Sequence, residues 1–575
     1  MLNVSRAICR VVFVLALATC VVAPLGAQPY FFQAEGGTLS GVSVSTQTAG
    51  YMGGGYVTGF DNDADRVSVQ ANVPAGLYEL WIGFRSQFGE KGYYYQVNGE
   101  SGTGMFPHST AFSADRAGTF ALTGGTNTLA LSKYWGYHDV DYFELRPFTP
   151  PALLPIAPTL VDSQADAHAQ ELMNYLMSIY GEKTLSGQQH ESSSNQSFPV
   201  QSYLNKSGGI VPAIRATDLM EYSPTRIQNG VNPRNESEQT IAWAKQTGGV
   251  VTMSWHWNAP ANLVNSAEYP WWRGFYTQGT IFDLPGALNN PGSNGHQLLL
   301  RDIDAIAVEL QKFENAGVPV IWRPLHEAQG GWFWWGAHGP ENFKDLWNLT
   351  YDRLTEHHGL HNLIWEFTSS AAEGNHLDWY PGDEVVDMIG LDVYTDATSS
   401  MSGEWANILE HYNGRKLIAL SETGTLPNPE LMDLWGIDWT YFSPWNGTFV
   451  DAMTPAQLQA VLNHEDVITL GELPVLPWSD AVPDTADFNG DGAVDGSDFL
   501  VWQQQVGLRG IQSADGNNDG IVNGADLNLI KQAMTQVAVA AQTTVPEPAA
   551  EALLLIATIG ALGVGSRRGR SLYNK

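Results

Sequence analysis

Cysteine is nearly missing from this chain: of 575 residues only Cys9 and Cys20 carry a thiol. Both fall in the first 27 residues, where Arg6 and Arg10 precede an apolar run from Val11 to Val22 and then Pro24-Leu-Gly-Ala27. That order is the pattern of a secretory signal peptide, residues 1–27, with cleavage expected after Ala27. Thr19 before Cys20, and the apolar residues beyond it, argue against a lipid-modified cysteine. A mature chain cut there holds no thiol, which excludes disulfides and thiol chemistry. Basic residues are scarce too. Lys and Arg number 28 against 60 Asp and Glu, a formal net charge of −32. Such a balance argues against nucleic acid and anionic membrane surfaces as partners, since both demand a basic patch, and favours a secreted protein acting on a neutral substrate. No Gly-rich phosphate loop, zinc-ligand spacing or nucleophile elbow accompanies the candidate residues below, so metallo- and serine-hydrolase chemistries are poorly supported.

Glycine and aromatics are abundant: Gly 59, Trp 20, Tyr 22 and Phe 22. Glycine-rich loops carrying aromatic rings suit a surface that stacks on sugars. Large β-proteins need the same residues for turns and cores, so composition leaves both readings open. The length suggests two to four domains. Residues 28–148 alternate apolar and polar positions between Gly, Asn-Gly and Pro-Ala-Gly turns, as a β-sandwich does. FTPPALLPIAP follows, giving a linker over 149–158. Over 159–480 strand-like and helix-like segments alternate. Eight candidate strands start near Thr184, Ile210, Gly249, Val318, Asn362, Val386, Leu417 and Trp439. Amphipathic stretches such as LLLRDIDAIAVELQKFENAG lie between several of them. The pattern predicts a (β/α)8 barrel, with a doubly wound open sheet as the competing arrangement.

Two glutamates stand where buried strands of this region are expected to stop: Glu327 in VPVIWRPLHEAQGGWFWWG and Glu422 in RKLIALSETG. The rim at which barrel strands end is where such enzymes carry their chemistry. Cleaving a glycosidic bond takes a proton for the departing oxygen and electron density for the forming oxocarbenium ion, which paired carboxylates supply. One must stay protonated near neutrality, helped by burial among aromatics, while the other stays ionised through hydrogen bonds. Glu327, beside Arg323, His326, Trp332, Trp334 and Trp335, is the expected acid. Glu422 is the expected nucleophile, with Tyr394 of GLDVYT a candidate hydroxyl donor to it. His326 is expected to alternate with Glu327 along the strand and to orient its neighbours. At least one of the three tryptophans is expected in the core. His256 in SWHWNAP ends the third strand and would face the same rim if the barrel forms, a plain core histidine being the equal alternative.

An internal repeat follows over 484–536. Asp487-Phe-Asn-Gly-Asp-Gly-Ala-Val-Asp-Gly-Ser-Asp498 recurs as Asp515-Gly-Asn-Asn-Asp-Gly-Ile-Val-Asn-Gly-Ala-Asp526, and 515 − 487 gives a spacing of 28. Oxygens fall at positions one, three, five, nine and twelve (Asp487, Asn489, Asp491, Asp495, Asp498; Asp515, Asn517, Asp519, Asn523, Asp526), with Gly at six. This spacing wraps a chain around a hard cation such as calcium. The apolar stretches behind each copy can start helices, giving a small all-α module. Near the end, Val545-Pro-Glu-Pro548 precedes an apolar run to about Val564 and then Arg567-Arg-Gly-Arg570. Residues 545–570 are expected to act as a processed sorting signal, transiently inserted in the membrane.

WRPLHEAQGGWFWWG, with GLDVYT, ALSETG and DVITLGELP downstream, resembles glycoside hydrolase family 26, best known for β-mannanases. A His directly before the acid marks the resemblance, which spans about 159–478. It implies a (β/α)8 barrel, Glu327 as acid/base and Glu422 as nucleophile after strands four and seven, and a retaining mechanism that uses no cofactor. His256, His326, Trp332, Tyr394 and Trp445 would line the cleavage subsite. Leu325 stands where Phe or Tyr is usual and Ala328-Gln329 replaces Met-Asn, departures that bear on subsite preference. The first domain is similar to carbohydrate-binding module family 35 through QAE at 33–35, GYMGGGYVTGFD and YWGYHDVDYFEL. That resemblance implies a structural calcium near Glu35 and Asp141 and a ligand surface including Trp135, with Gln33 in place of the usual Glu. The twin loops resemble dockerin type I, implying calcium and a cohesin-bearing partner. The tail is similar to PEP-type sorting signals. Together these make the expected protein a secreted or cell-surface endo-β-1,4-mannanase acting on mannan, glucomannan or galactomannan. An endo-hydrolase of β-1,3-xylan or mixed-linkage glucan, or a non-catalytic carbohydrate-binding scaffold, are the competing readings.

Overall fold

The structure, a computed structural model, describes residues 28–190, 198–373, 375–479, 486–489, 494–508, 512–516 and 521–543. The expected signal peptide and sorting segment, and the loop residues Asp491, Asn517 and Asp519, lie outside these. The chain falls into two units, one ending at Pro151 and the other beginning at Ala152.

In the first unit two antiparallel sheets build the expected sandwich. One orders Ser43–Ser45, Tyr56–Thr58, Asp139–Pro147, Gly76–Ser86 and Ser109–Leu122, with Tyr30–Gln33 also on Asp139–Pro147; the other orders Thr38–Ser40, Arg66–Val73, Gly125–Lys133, Lys91–Val97 and Glu100–Phe106. Arg66–Val73 shows why the sheets face each other: Val67, Val69, Ala71 and Val73 are buried, and the residues between them are not. A strand with that period has one wet face and one apolar face, and the apolar faces close on Leu80, Ile82, Phe84, Leu129, Leu131 and Phe143.

The second unit contains eight parallel strands in sequence order: Thr184–Gln189, Ile214–Asp218, Val250–Trp255, Val320–Pro324, Leu363–Ser370, Met388–Val393, Leu417–Thr423 and Tyr441–Pro444. The first pairs with the second through Gly187 and Ile214, and with the eighth through Leu185 and Tyr441, so the sheet closes. This is the expected barrel, and its closure removes the open-sheet alternative. Every residue of the third and seventh strands is buried, as strands covered on both faces must be. The second strand starts at Ile214, not Ile210. Pro212 has no N–H to give a central ladder, and it bridges instead to Thr469 in the segment after the barrel.

Helices cover the outside. The longest, Asn294–Asn315, starts where Ser293 accepts the His296 N–H at 3.1 Å. It buries Leu299, Ile303, Ile306, Leu310 and Phe313, spaced three and four apart, against the barrel. Helices Gly496–Gln505 and Gly524–Thr543 form the C-terminal pair, and among the described residues the apolar cluster buried with them is Ala486, Phe488, Ala514, Val522 and Ile530.

Candidate active site

The fourth strand stops at Pro324, and the chain turns at once. Leu325 and Glu327 both take left-handed backbone angles, φ 53° each. Such angles cost roughly 1–2 kcal/mol for residues with a Cβ and persist where surrounding structure fixes them. Here the Glu327 N–H donates to the Thr368 carbonyl at 3.1 Å, tying the turn to the fifth strand. His326 and Glu327 thus lie beyond the strand; they do not alternate along it as the sequence suggested. The three tryptophans behind them divide. Trp334 gives its indole N–H to the Trp257 carbonyl and Trp335 to that of His326, both fully packed. Trp332 alone faces the carboxyl, donating to Glu327 Oε2 at 2.9 Å.

Glu422 comes from inside the seventh strand, one residue before its end. Leu391 pairs with Leu420 but Asp392 pairs with Glu422, leaving Ser421 as an extra residue. A bulge of this kind re-aims the side chain after it. Glu422 Oε2 accepts the Tyr394 hydroxyl at 2.9 Å, while Oε1 is bonded by Arg323 Nη2. The other guanidinium nitrogen reaches Asp392 at 3.2 Å. Arg323 is fully buried, and Asp392 and Glu422 hold it charged against the cost of burial.

His256 follows the third strand. Its Nδ1 meets Asp218 Oδ2 at 2.5 Å, and Asp218, at the end of the second strand, also takes the Ser254 hydroxyl at 2.9 Å. Burial alone would lower His256, but the Asp218 carboxylate and Glu422 raise it. His326 packs edge-on to His256 at 4.5 Å. Burial, then the His256 and Arg323 charges, push His326 well down, so it is the neutral imidazole of the pair. Trp445 lies 6.0 Å from His256 and keeps part of its ring open to solvent. A cavity of about 610 Å³ opens beside Tyr394, lined by Thr395, Asp396, Gly424, Thr425 and Phe449.

The carboxyls differ in environment. Glu327 is pushed up to about 7, first by burial and then by the negative charge of Glu422; the Trp332 N–H and Arg323 act against the rise. Asp392 also rises, through burial and then Glu422 and Glu327, with Arg323 opposing. A buried carboxyl able to hold a proton thus stands within electrostatic reach of a second one bound by a guanidinium and a hydroxyl. That arrangement gives a proton to a leaving group on one side and an electron pair on the other. The structure thus brings Glu327, Glu422, His256, His326, Trp332, Tyr394 and Trp445 to one rim. Sequence reasoning missed Asp218, which ends a buried strand, and Asp392, one residue before the end of another, although an acid at the close of an apolar run is the signal that found Glu327 and Glu422.

Trp135 belongs to the sandwich, half exposed with Tyr134 and Tyr137 beside it. Gln33, Glu35 and Asp141 meet at the turn over Met52–Gly54. Asp141 accepts the Met52 N–H at 2.8 Å, and Glu35 Oε1 accepts that of Gly54 at 2.7 Å. Gln33 Oε1 and Glu35 Oε2 are buried with no hydrogen-bond partner. Asp141 is pushed up to about 6 by burial and by Glu35. Crowded oxygens without a counter-charge fit a hard cation. Gly53 leaves them room: a Cβ there would stand 2.5 Å from Gln33 Oε1, and its φ of 76° favours glycine. In the twin loops Asp498 accepts the N–H groups of Asn489 and Asp495, and Asp526 those of Gly516 and Asn523. Position twelve therefore closes each loop, as a calcium loop of this spacing requires. Asp487 and Asp515 stand at position one of their loops. Among the described residues no group of three or more His, Cys, Asp or Glu side chains gathers as a metal centre.

Three family models match the chain: glycosyl hydrolase family 26 over residues 161–472, carbohydrate binding module family 35 over 30–148, and the dockerin type I domain over 485–535. A mannan endo-1,4-β-mannosidase of Thermothelomyces thermophilus is 40% identical over 455 residues, covering 78% of this chain and 91% of that protein. Mannan endo-1,4-β-mannosidase A of Piromyces sp. is 31% identical, covering 80% and 75%. Among solved structures, the GH26-CBM35 β-(1,4)-mannanase of Podospora anserina is 40% identical, with a TM-score of 0.59 over 78% of this chain and 99% of that one. A ruminal GH26 endo-β-1,4-mannanase is 27% identical, with a TM-score of 0.64 over 78% and 98%.

Proposed function

The chain belongs to glycosyl hydrolase family 26, and from that membership we propose a retaining endo-β-1,4-mannanase that cleaves internal bonds of mannan, glucomannan or galactomannan. The observation that carries the reading is the pairing of Glu327, raised to about 7, with Glu422, held by Arg323 and Tyr394. Mannan is favoured over other glycans because both relatives above are mannanases across most of their length.

In the first step Glu422 attacks the anomeric carbon while Glu327 gives its proton to the departing glycosidic oxygen. The C–O bond breaks and a glycosyl ester forms on Glu422. Esterification removes the Glu422 charge, one of the causes that hold Glu327 high, so Glu327 becomes easier to ionise when it must act as base. Water then attacks the same carbon, Glu327 takes its proton, and Glu422 leaves as carboxylate. Trp332 and Trp445 offer ring faces to the sugar, and His256 and His326 donors to its hydroxyls. Glu327 and Glu422 are the catalytic residues of this reading; His256, His326, Trp332, Tyr394 and Trp445 bind the cleavage subsite.

In the same reading the sandwich binds glycan through a surface including Trp135, with a structural calcium held by Gln33, Glu35 and Asp141. The dockerin module takes calcium in its twin loops and docks a cohesin-bearing partner. Such an assembly belongs outside the cell or on its surface, with residues 1–27 as signal peptide and 545–570 as sorting signal. The domains follow as 28–148, 159–480 and 484–536. Reducing-sugar release from linear mannan, glucomannan, galactomannan, β-1,3-xylan and mixed-linkage glucan tests the proposal. Release from the mannans supports it; release confined to xylan or mixed-linkage glucan overturns the substrate, and silence on all overturns the enzyme.

A further inference from the structure

Below the two carboxyls lies a third, fully buried one that the mechanism above does not use. Glu366, on the fifth strand, is 0% exposed and faces the barrel interior. Three hydroxyls converge on it: Thr368 of the same strand at 3.1 Å, Tyr441 of the eighth strand at 2.7 Å, and Ser421 of the seventh, in closer contact. Two of these lead straight to the reacting groups. Ser421 is the bulged residue immediately before Glu422, so two consecutive side chains of the seventh strand point inward, Ser421 to Glu366 and Glu422 to Arg323. The Thr368 carbonyl receives the Glu327 N–H. A single carboxylate therefore ties both the bulge that aims Glu422 and the strand position that anchors Glu327.

The sixth strand is shaped for this contact. A Cβ on Gly390 would lie 2.2 Å from Ser421 Oγ, 2.3 Å from Glu366 Oε1 and 2.5 Å from Thr368 Oγ1. No side chain fits there while the network stands. A buried carboxylate is expensive unless its lone pairs are met, and this one is met three times. A bulge without a tether has no reason to hold one of its inward residues in place.

We propose that Glu366 is a positioning residue for the hydrolytic reaction, holding Ser421, and through it the bulge, so that Glu422 stays aimed at the anomeric carbon. This rests on the family 26 reading of Glu422. The test compares Ser421→Ala, Glu366→Gln and Glu366→Leu in the full chain on linear mannan, with thermal melting of each. Misaiming a nucleophile lowers turnover without weakening ground-state binding. Ser421→Ala is expected to lose roughly tenfold and Glu366→Leu roughly 100-fold in kcat, with KM held within about twofold. Glu366→Gln keeps one acceptor oxygen for Ser421 and Thr368 and presents an N–H that the Tyr441 hydroxyl can accept by turning its proton, and is expected to retain most activity. If Glu366→Leu does not fold, Ser421→Ala carries the same test with one hydroxyl removed. Wild-type kcat in Ser421→Ala, a loss confined to KM, or Glu366→Gln as damaged as Glu366→Leu would each overturn the inference. Failure of the wild-type chain on every mannan would instead overturn the mannanase reading, and the variants would then be compared on whichever glycan the chain cleaves.

Discussion

Trp332 gives its indole N–H to Oε2 of Glu327 at 2.9 Å, and this hydrogen bond works against the burial that raises the same carboxyl. A donor to a carboxylate favours its ionised form. Trp332→Phe keeps an aromatic face but no donor, so Glu327 should hold its proton to higher pH. The alkaline limb of kcat/KM is expected to move upward from near 7, measured on a soluble mannooligosaccharide. A limb that stays, or moves down, would show that Glu327 is not the acid.

Glu422→Ala should lose roughly 10³-fold or more in kcat, because no covalent ester can form. Azide can then enter the emptied face while Glu327 still protonates the leaving oxygen, yielding an α-mannosyl azide from a β-linked substrate. Glu327→Ala with an activated aryl mannobioside should give the opposite anomer, since azide then attacks the ester on Glu422. Product analysis by NMR distinguishes the two, and reversed anomers would exchange the roles of the two glutamates.

The sandwich site makes a ligand-linked stability prediction. Gln33 Oε1 and Glu35 Oε2 are buried without partners, so a cation that satisfies them should bind the folded form alone. Calcium at a hundredfold excess over Kd would then add about 2.7 kcal/mol to the sandwich transition in calorimetry. Glu35→Gln should melt at the same temperature with and without calcium. A calcium response as large as that of the wild type in this variant would move the site elsewhere.

The C-terminal module should depend on metal more strongly, since among the described residues its buried apolar cluster holds Ala486, Phe488, Ala514, Val522 and Ile530, little for a fold of its own. Chelation is expected to open residues 486–535 to protease while the barrel stays intact. Asp498→Ala or Asp526→Ala should have the same effect with calcium present, because each closes its loop at position twelve.

The barrel was legible in the sequence because its strands are short, begin on apolar residues and alternate with helix-like stretches, as Leu417-Ile-Ala-Leu420 at the head of Leu417–Thr423 shows. Glu327 and Glu422 were legible for a related reason: a charged residue at the end of such a run has only the rim to occupy. The turn that carries Glu327 was not, because its left-handed Leu325 and Glu327 use residues that ordinarily avoid that conformation. Nor could spacing tell which of Trp332, Trp334 and Trp335 faces the site. In a tight turn neither helical nor strand period applies, and three indole contacts, to Glu327, to His326 and to the distant Trp257, decide it. Ser421 and Glu366 were invisible for the same physical reason. A bulge is an exception to alternation, and a buried acid in LIWEFTSS looks like noise in an apolar strand until its three hydroxyl partners are in place.

His138 of the sandwich yields a prediction whose sign follows from its surroundings. Its ring stacks on Phe60 at 4.7 Å and stands edge-on to Phe106 at 5.3 Å, with the Gly136 backbone the polar group that works to keep it protonated. Burial first, and the charge of Lys91 in addition, push it down to about 4. The folded domain thus binds the proton less readily than the unfolded chain, whose histidine titrates near 6.5. Above about 6.5 both forms are neutral and His138 has no effect on stability. Between there and about 4 the unfolded chain takes up a proton that the fold refuses, costing on the order of 3 kcal/mol by the lower end. The His138 contribution to the sandwich transition should therefore fall steeply in calorimetric scans from pH 7 to pH 4, while Asp141, raised to about 6, opposes it by binding its proton more readily in the folded domain. His138→Phe, which keeps the ring stack and removes the titration, should flatten that fall. Equal decline in the two proteins would place the acid sensitivity in other groups of the sandwich.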